Sequence, residues 1–221
     1  EIILQQTKVK QGIPYYNNFI KTYPTVQHLA KANEEEILKL WQGLGYYSRA
    51  RNLHFASKQI INNHQGFFPT NYNEILSLKG VGEYTAAAIA SFAFNLPYAV
   101  VDGNVYRLLA RYYGIKTPIN SNIGKREFFN LANKLINAKK ANTYNQAIME
   151  FGSQKCKPKN PNCITCPLQK NCVAYKKKKV LELPVKIKLT KKKKLYFDYF
   201  FFNYKSYTYV NKREKKGIWQ N

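Results

Sequence analysis

The sequence predicts a mainly α fold over residues 1–155, with a β-containing segment begun only towards the C-terminal end. Three observations predict it. Asn33-x-x-Glu36 and Asn71-x-x-Glu74 each read as a capping box that opens a helix. Apolar residues recur at helical spacing in one segment after another, and no convincing strand pattern precedes Cys156. From Leu195 to Tyr209, by contrast, the chain is aromatic-rich and partly alternating, and Lys205-Ser206 is placed to turn it into a hairpin.

Taken in order, Glu1–Thr7 reads as the end of a helix whose start is missing, and the last residues break off in the strand region, so a fragment of a longer protein is expected. A second helix is expected over Gly12–Thr22. Behind Asn33, the residues Ile37, Leu40, Trp41 and Leu44 form a stripe that must end near Gly43-Leu44-Gly45. Leu53, Ala56, Ile60 and Ile61 stripe the next helix, which Gly66 and Pro69 terminate. Further stripes are Val105, Leu108, Leu109 and Tyr112, then Phe128, Leu131, Ala132 and Leu135, then Tyr144, Ala147, Ile148 and Phe151. All are expected to face a core.

The chain is organised around Leu78 to Ser91. A short helix from Asn71 reaches Leu78, Gly80-Val81-Gly82 makes a turn, and the alanine-rich run from Glu83 to Phe94 is a strong helix former that stops at Asn95 and Pro97. Such a turn leaves a helix N-terminus whose free N–H groups can meet a phosphate, as in the helix-hairpin-helix motif of DNA-binding proteins. An αα-turn with glycines for packing accounts for the same residues. Asp102, in the loop Val101-Asp102-Gly103-Asn104-Val105, adds a carboxylate that either caps the next helix or supplies chemistry.

Composition narrows the partners. The 221 residues carry 36 Lys+Arg against 12 Asp+Glu, a formal net charge of +24. Part of that excess fits a lysine-rich and asparagine-rich composition, but it favours a polyanion, and nucleic acid is the commonest one. No apolar run reaches the roughly 18 residues of a membrane helix and no signal-peptide pattern opens the chain, so a soluble, intracellular protein without a membrane partner is expected. His28, His54 and His64 form no metal or triad pattern.

The four cysteines all fall in Cys156-x6-Cys163-x2-Cys166-x5-Cys172. Thiols packed this closely in an intracellular chain point to a metal site rather than disulfides. One CxxC suits zinc, and the wider gaps suit a loop wrapped around a bulkier iron–sulfur centre. Beyond them, Lys176–Lys179 and Lys191–Lys194 flank Leu181-Glu182-Leu183-Pro184, and residues 173–194 read as a basic linker. Residues 195–221 read as the start of a β domain, because two strands cannot hold together alone in water.

Together the hairpin, the Val-Asp-Gly-Asn loop and the cysteine segment resemble the endonuclease III superfamily of DNA glycosylases. Within it, Glu1-Ile2-Ile3-Leu4-Gln5-Gln6-Thr7 and Trp41-Gln42-Gly43-Leu44-Gly45-Tyr46-Tyr47-Ser48-Arg49-Ala50-Arg51-Asn52 resemble the MutY-type adenine DNA glycosylases. The resemblance covers nearly the whole chain. It implies a helix-hairpin-helix DNA glycosylase fold: a helical domain pair over 1–155, a 4Fe–4S loop over 156–172 held by Cys156, Cys163, Cys166 and Cys172, and the start of a Nudix-like domain over 195–221.

The resemblance also implies a monofunctional enzyme of base excision repair that flips adenine out of double-stranded DNA, opposite 8-oxoguanine or guanine. Glu1 would protonate the base and Asp102 would stabilise the oxocarbenium-like sugar, the two-carboxylate logic of glycoside cleavage. Tyr84 and Asn104 would complete the catalytic set, Tyr84 standing where lyase members carry an imine-forming lysine. Gln6 and Tyr46 would act as wedges in the base stack, with Gln5 and the Gly80-Val81-Gly82 turn also on the DNA. A monomer in the bacterial cytoplasm, on the nucleoid, is expected. The alternatives are an endonuclease III-like pyrimidine-damage glycosylase/lyase and a catalytically silent DNA-binding fragment.

Overall fold

The structure, a computed structural model, describes residues 1–187 and 194–210. Glu1–Ile187 forms one compact unit and Lys188–Asn221 a second. Residues 188–193 of the expected linker and residues 211–221 of the expected C-terminal domain lie outside the described residues.

The first unit is helical throughout, as its capping pattern predicts. Its elements are α1 (Val9–Thr22), α2 (Val26–Lys31), α3 (Glu34–Leu40), α4 (Ser48–His64), α5 (Tyr72–Ser77), α6 (Glu83–Phe94), α7 (Gly103–Tyr113), α8 (Asn122–Leu135), α9 (Ala141–Gln154) and α10 (Val173–Lys176). Asn33 and Asn71 do cap α3 and α5, each accepting the N–H two residues on, from Glu35 and Asn73. The α6 boundaries fall where alanine begins to dominate and where Asn95 turns left-handed at φ 53°.

Four expectations need correction. Glu1–Thr7 is a run of tight turns rather than an α-helix, with Leu4, Gln5 and Thr7 donating three residues back to Glu1, Ile2 and Leu4. Gln6 sits at φ 53°, which breaks a helix there. The six-residue α2, capped by Thr25, has no counterpart in the apolar pattern. On α9, Ala147 is exposed while Tyr144, Ile148 and Phe151 are half-buried, Ile148 packing on the core, and the fully buried positions Ala141, Asn145 and Gly152 are small or polar residues the apolar pattern does not mark.

The last correction concerns the linker. Residues 173–187 pack back onto the first unit. Leu183 is buried in a core with Val105, Leu109, Phe128 and Ala174. Ile119 N–H donates to the Val185 carbonyl at 3.0 Å, and Asn120 exchanges two hydrogen bonds of 2.9 Å with Ile187. A lysine run at Lys176–Lys179 hides these apolar anchors from a reading by composition.

That core of α7, α8 and α10 is one of two main groups. The other is built from α1 and α3–α6, where Ile37, Trp41, Ile75 and Ala86 are fully buried. In the second unit, β1 (Asn203–Tyr204) and β2 (Tyr207–Thr208) pair antiparallel across Lys205-Ser206, with Tyr204 opposite Tyr207. All four strand residues are exposed.

Candidate nucleic-acid interface and active site

The turn between α5 and α6 is built for close approach. Gly80 has φ +82°, and a Cβ there would fall 2.6 Å from Asn52 Cβ. Gly82 caps α6 with no side-chain acceptor, leaving the first N–H groups of a twelve-residue helix to an external anion. Behind the turn, Gln59 on α4 accepts the Lys79 N–H at 2.7 Å. The Val81 side chain is buried in the core, so only its backbone can serve an interface.

Asp102 caps α7. One carboxylate oxygen accepts the N–H groups of Asn104 and Val105, both at 2.8 Å, and the other accepts the Asn104 side-chain amide at 2.7 Å. Capping and chemistry are therefore compatible at this residue, because the cap orients the charge. Asn104 Oδ1 in turn accepts from Arg107 Nη2 at 2.8 Å, and Arg107 Nε donates to the Cys156 carbonyl at 2.7 Å. Arg107 Nη2 also donates to the Gly152 carbonyl. Gly152 is needed here, since a Cβ would stand 2.8 Å from Asn104 Cβ.

Tyr84, at the start of α6, is 43% exposed. Burial pushes its phenol up to about 12, with further contributions from the negative charges of Asp102 and Glu1. Asn104 is tied to Asp102 by its side-chain amide. The raised value keeps the phenol protonated, and the cost of ionising it in the fold falls between pH 10 and 12. Stability tied to this group is thus intact below pH 10 and lost as pH rises towards 12. Ultraviolet difference titration of the parent against Tyr84→Phe should show a missing component well above pH 10; a component at the free-tyrosine value would contradict the placement.

The remaining expected DNA-facing residues divide. Gln6 and Tyr46 are exposed, at φ 53° and 48°. Gln5 is different: its amide donates to the Gly80 carbonyl at 3.0 Å and to Thr85 Oγ1 at 3.1 Å. It ties the Glu1 turn to the hairpin.

All four cysteines are half-buried and line one cavity with Arg111, Phe151 and Leu168. Among the described residues, no three His, Cys, Asp or Glu side chains are close enough together to hold a metal ion. Burial and the other three cysteines push the Cys163 thiol up. The Arg111 guanidinium, 3% exposed, reaches Cys156 Sγ at 3.4 Å and donates to the carbonyls of Lys157, Pro158 and Leu183 at 2.7, 3.2 and 3.1 Å.

Sequence reasoning assigned no role to Arg49, Arg107 and Arg111. The signal for the last two was present: they stand four apart on α7, on the side away from the apolar stripe of Val105 and Leu109.

The sequence over residues 1–138 matches the family described as HhH-GPD superfamily base excision DNA repair protein. An adenine DNA glycosylase of Buchnera aphidicola subsp. Schizaphis graminum is 38% identical over 225 residues, covering 100% of this chain and 64% of that protein. The mouse adenine DNA glycosylase is 41% identical over 80% of this chain and 35% of its own length. The chain thus spans less than two thirds of the curated relatives it matches. Among solved structures, a thermostable thymine-DNA glycosylase superposes with TM-score 0.73 at 32% identity, covering 80% of this chain and 81% of that one. A non-covalent endonuclease III–DNA complex gives 0.69 at 25% identity, with the same coverage.

Proposed function

The chain belongs to the HhH-GPD superfamily of base excision DNA repair proteins, and on that premise we propose that it excises adenine mispaired with 8-oxoguanine or guanine in duplex DNA. One observation carries the reading. The Asp102 carboxylate is fixed by three N–H donors at the start of α7, and the protonated Tyr84 phenol begins α6 at a phosphate-ready hairpin, which supports an acid–base and electrostatic site there. The adenine glycosylases among its relatives support the choice of base.

Adenine leaves poorly until a ring nitrogen is protonated, and the sugar it leaves is cationic. Glu1, exposed at the end of its turn, delivers that proton to the flipped base. Asp102 is held by three N–H donors and turns a fixed negative charge to the sugar. Asn104 keeps that carboxylate from rotating, and Tyr84 donates its hydroxyl within the same group. The hairpin N–H groups grip a phosphate while Gln6 and Tyr46 enter the stack. Cys156, Cys163, Cys166 and Cys172 fit a 4Fe–4S cluster better than zinc, since they ring a cavity with a guanidinium at one sulfur. Such a cluster would supply a rigid tie for the loop. We place the protein as a monomer in the bacterial cytoplasm, on nucleoid DNA.

A lyase must hold the opened sugar as an imine, and a phenol cannot form one. Single-turnover assays on a duplex with adenine opposite 8-oxoguanine should therefore show adenine release long before any nick, with strand cleavage only after alkali. Borohydride should trap little adduct. Nicking at the rate of base release would favour the pyrimidine-damage lyase reading, and tight binding without any release the silent one.

A further inference from the structure

We infer that Arg49 is the positioning residue that sets both proposed wedge side chains, Gln6 and Tyr46, by clamping the two turns that carry them. The inference rests on the adenine-excision reading only for what those wedges act upon.

Arg49 is the second residue of α4 and is 6% exposed. Its Nη1 donates to the Ile3 carbonyl at 2.8 Å, to Thr7 Oγ1 at 3.0 Å and to the Gln5 carbonyl, with the Ile2 carbonyl at 3.4 Å. Its Nη2 donates to the Gly45 carbonyl at 3.1 Å, with Leu44 at 3.4 Å. The guanidinium lies 5.2 Å from the Trp41 ring and 5.6 Å from the Tyr46 ring. One planar group thus binds the turn around Gln6 and the turn before Tyr46, although more than forty residues separate it from the first.

This placement is poor for stability alone. A cation in the first turn of a helix opposes the helix dipole. Burial lowers the affinity of Arg49 for its proton. Among the described residues the guanidinium has no ion pair, so neutral acceptors and ring faces alone balance its charge, and its Nε is buried without a hydrogen-bond partner. A buried charge of this kind stabilises no better than an apolar side chain of similar size, so its contribution lies in geometry. The geometry it fixes is strained: Gln6 and Tyr46 both hold left-handed backbone conformations, which persist only where surroundings enforce them. Removing the fork would let both residues relax to ordinary conformations and turn their side chains away from the stack. Lysine keeps the charge but cannot bridge the two turns.

The test uses a duplex with 2-aminopurine beside the target adenine opposite 8-oxoguanine, read by fluorescence on binding. Arg49→Lys should bind with parent affinity but lose most of the unstacking signal, and adenine release should fall about 10²-fold, as expected for a small misplacement of positioning groups. Release from a duplex with adenine opposite an abasic site, where little stacking opposes flipping, should fall far less. A parent-like fluorescence rise, or equal loss on both duplexes, would overturn the inference. Thr7→Val removes one acceptor without touching the core and should shift the signal the same way. If Arg49→Lys is unfolded by circular dichroism, a parent-like signal from Thr7→Val overturns the inference. If the parent releases no adenine while the fluorescence still separates parent from variants, the adenine reading fails and the clamp stands.

Discussion

Asp102→Asn should lose base release by about 10²–10³-fold or more, the scale on which removing one preorganised electrostatic group acts, while DNA binding is retained. The geometry separates the two effects. Asparagine is as good a helix cap as aspartate, so the N–H groups of Asn104 and Val105 keep an acceptor. What disappears is the charge facing the sugar. The Asn104 amide, now opposite another amide N–H, also loses its acceptor, and it cannot simply flip because its Oδ1 serves Arg107. A stability loss on the order of 1 kcal/mol follows from that one frustrated contact. Asp102→Ser keeps a capping oxygen with neither charge nor amide and should be equally inactive. Single-turnover release beside an equilibrium binding isotherm decides the matter. Comparable release by Asp102→Asn and parent would remove Asp102 from the mechanism.

Arg111→Met should lower the melting temperature of the helical unit by roughly 10 °C, because on the order of 3 kcal/mol is lost when one buried and two part-buried carbonyls lose their donor at once. The guanidinium holds Lys157, Pro158 and Leu183 by their carbonyls, so the start of the cysteine loop and the returning segment at Leu183 loosen together. Its contact with Cys156 Sγ is lost as well, and the purified variant should carry less iron than the parent. Thermal melts followed by circular dichroism and elemental analysis check the two halves separately. Stoichiometric zinc without iron in the parent would overturn the cluster assignment, whatever the melt shows.

Local chemistry was legible in the sequence, and long-range pairing was not. Asn33, Asn71 and Asp102 act within three residues of themselves, so their capping roles follow from spacing. Gly80-Val81-Gly82 and the alanine run define the hairpin for the same reason. On α9 the apolar stripe marks the half-buried Tyr144, Ile148 and Phe151 but not the fully buried Asn145 and Gly152. Asn145 holds the Val100 N–H at 3.0 Å and the Ser91 hydroxyl at 2.7 Å, partners no periodicity reveals. Arg49 was visible only as one letter of a quoted segment, since its acceptors lie on turns distant in the chain. The bond from the Gln5 amide to the Gly80 carbonyl, 75 residues away, is likewise invisible to spacing.

The return of residues 173–187 onto the helical unit has a consequence for synthesis. Arg111 emerges from the ribosome 72 residues before the Leu183 carbonyl that one face of its guanidinium requires. At typical elongation rates of about 5–20 residues per second, that side chain waits for seconds without one of its partners. During that interval Ile119 and Asn120 also lack Val185 and Ile187, and the groove that Leu183 fills is open. The helical unit is thus finished from its far end, and a nascent chain stopped before Leu183 would expose this core to other chains at the moment it is most able to aggregate.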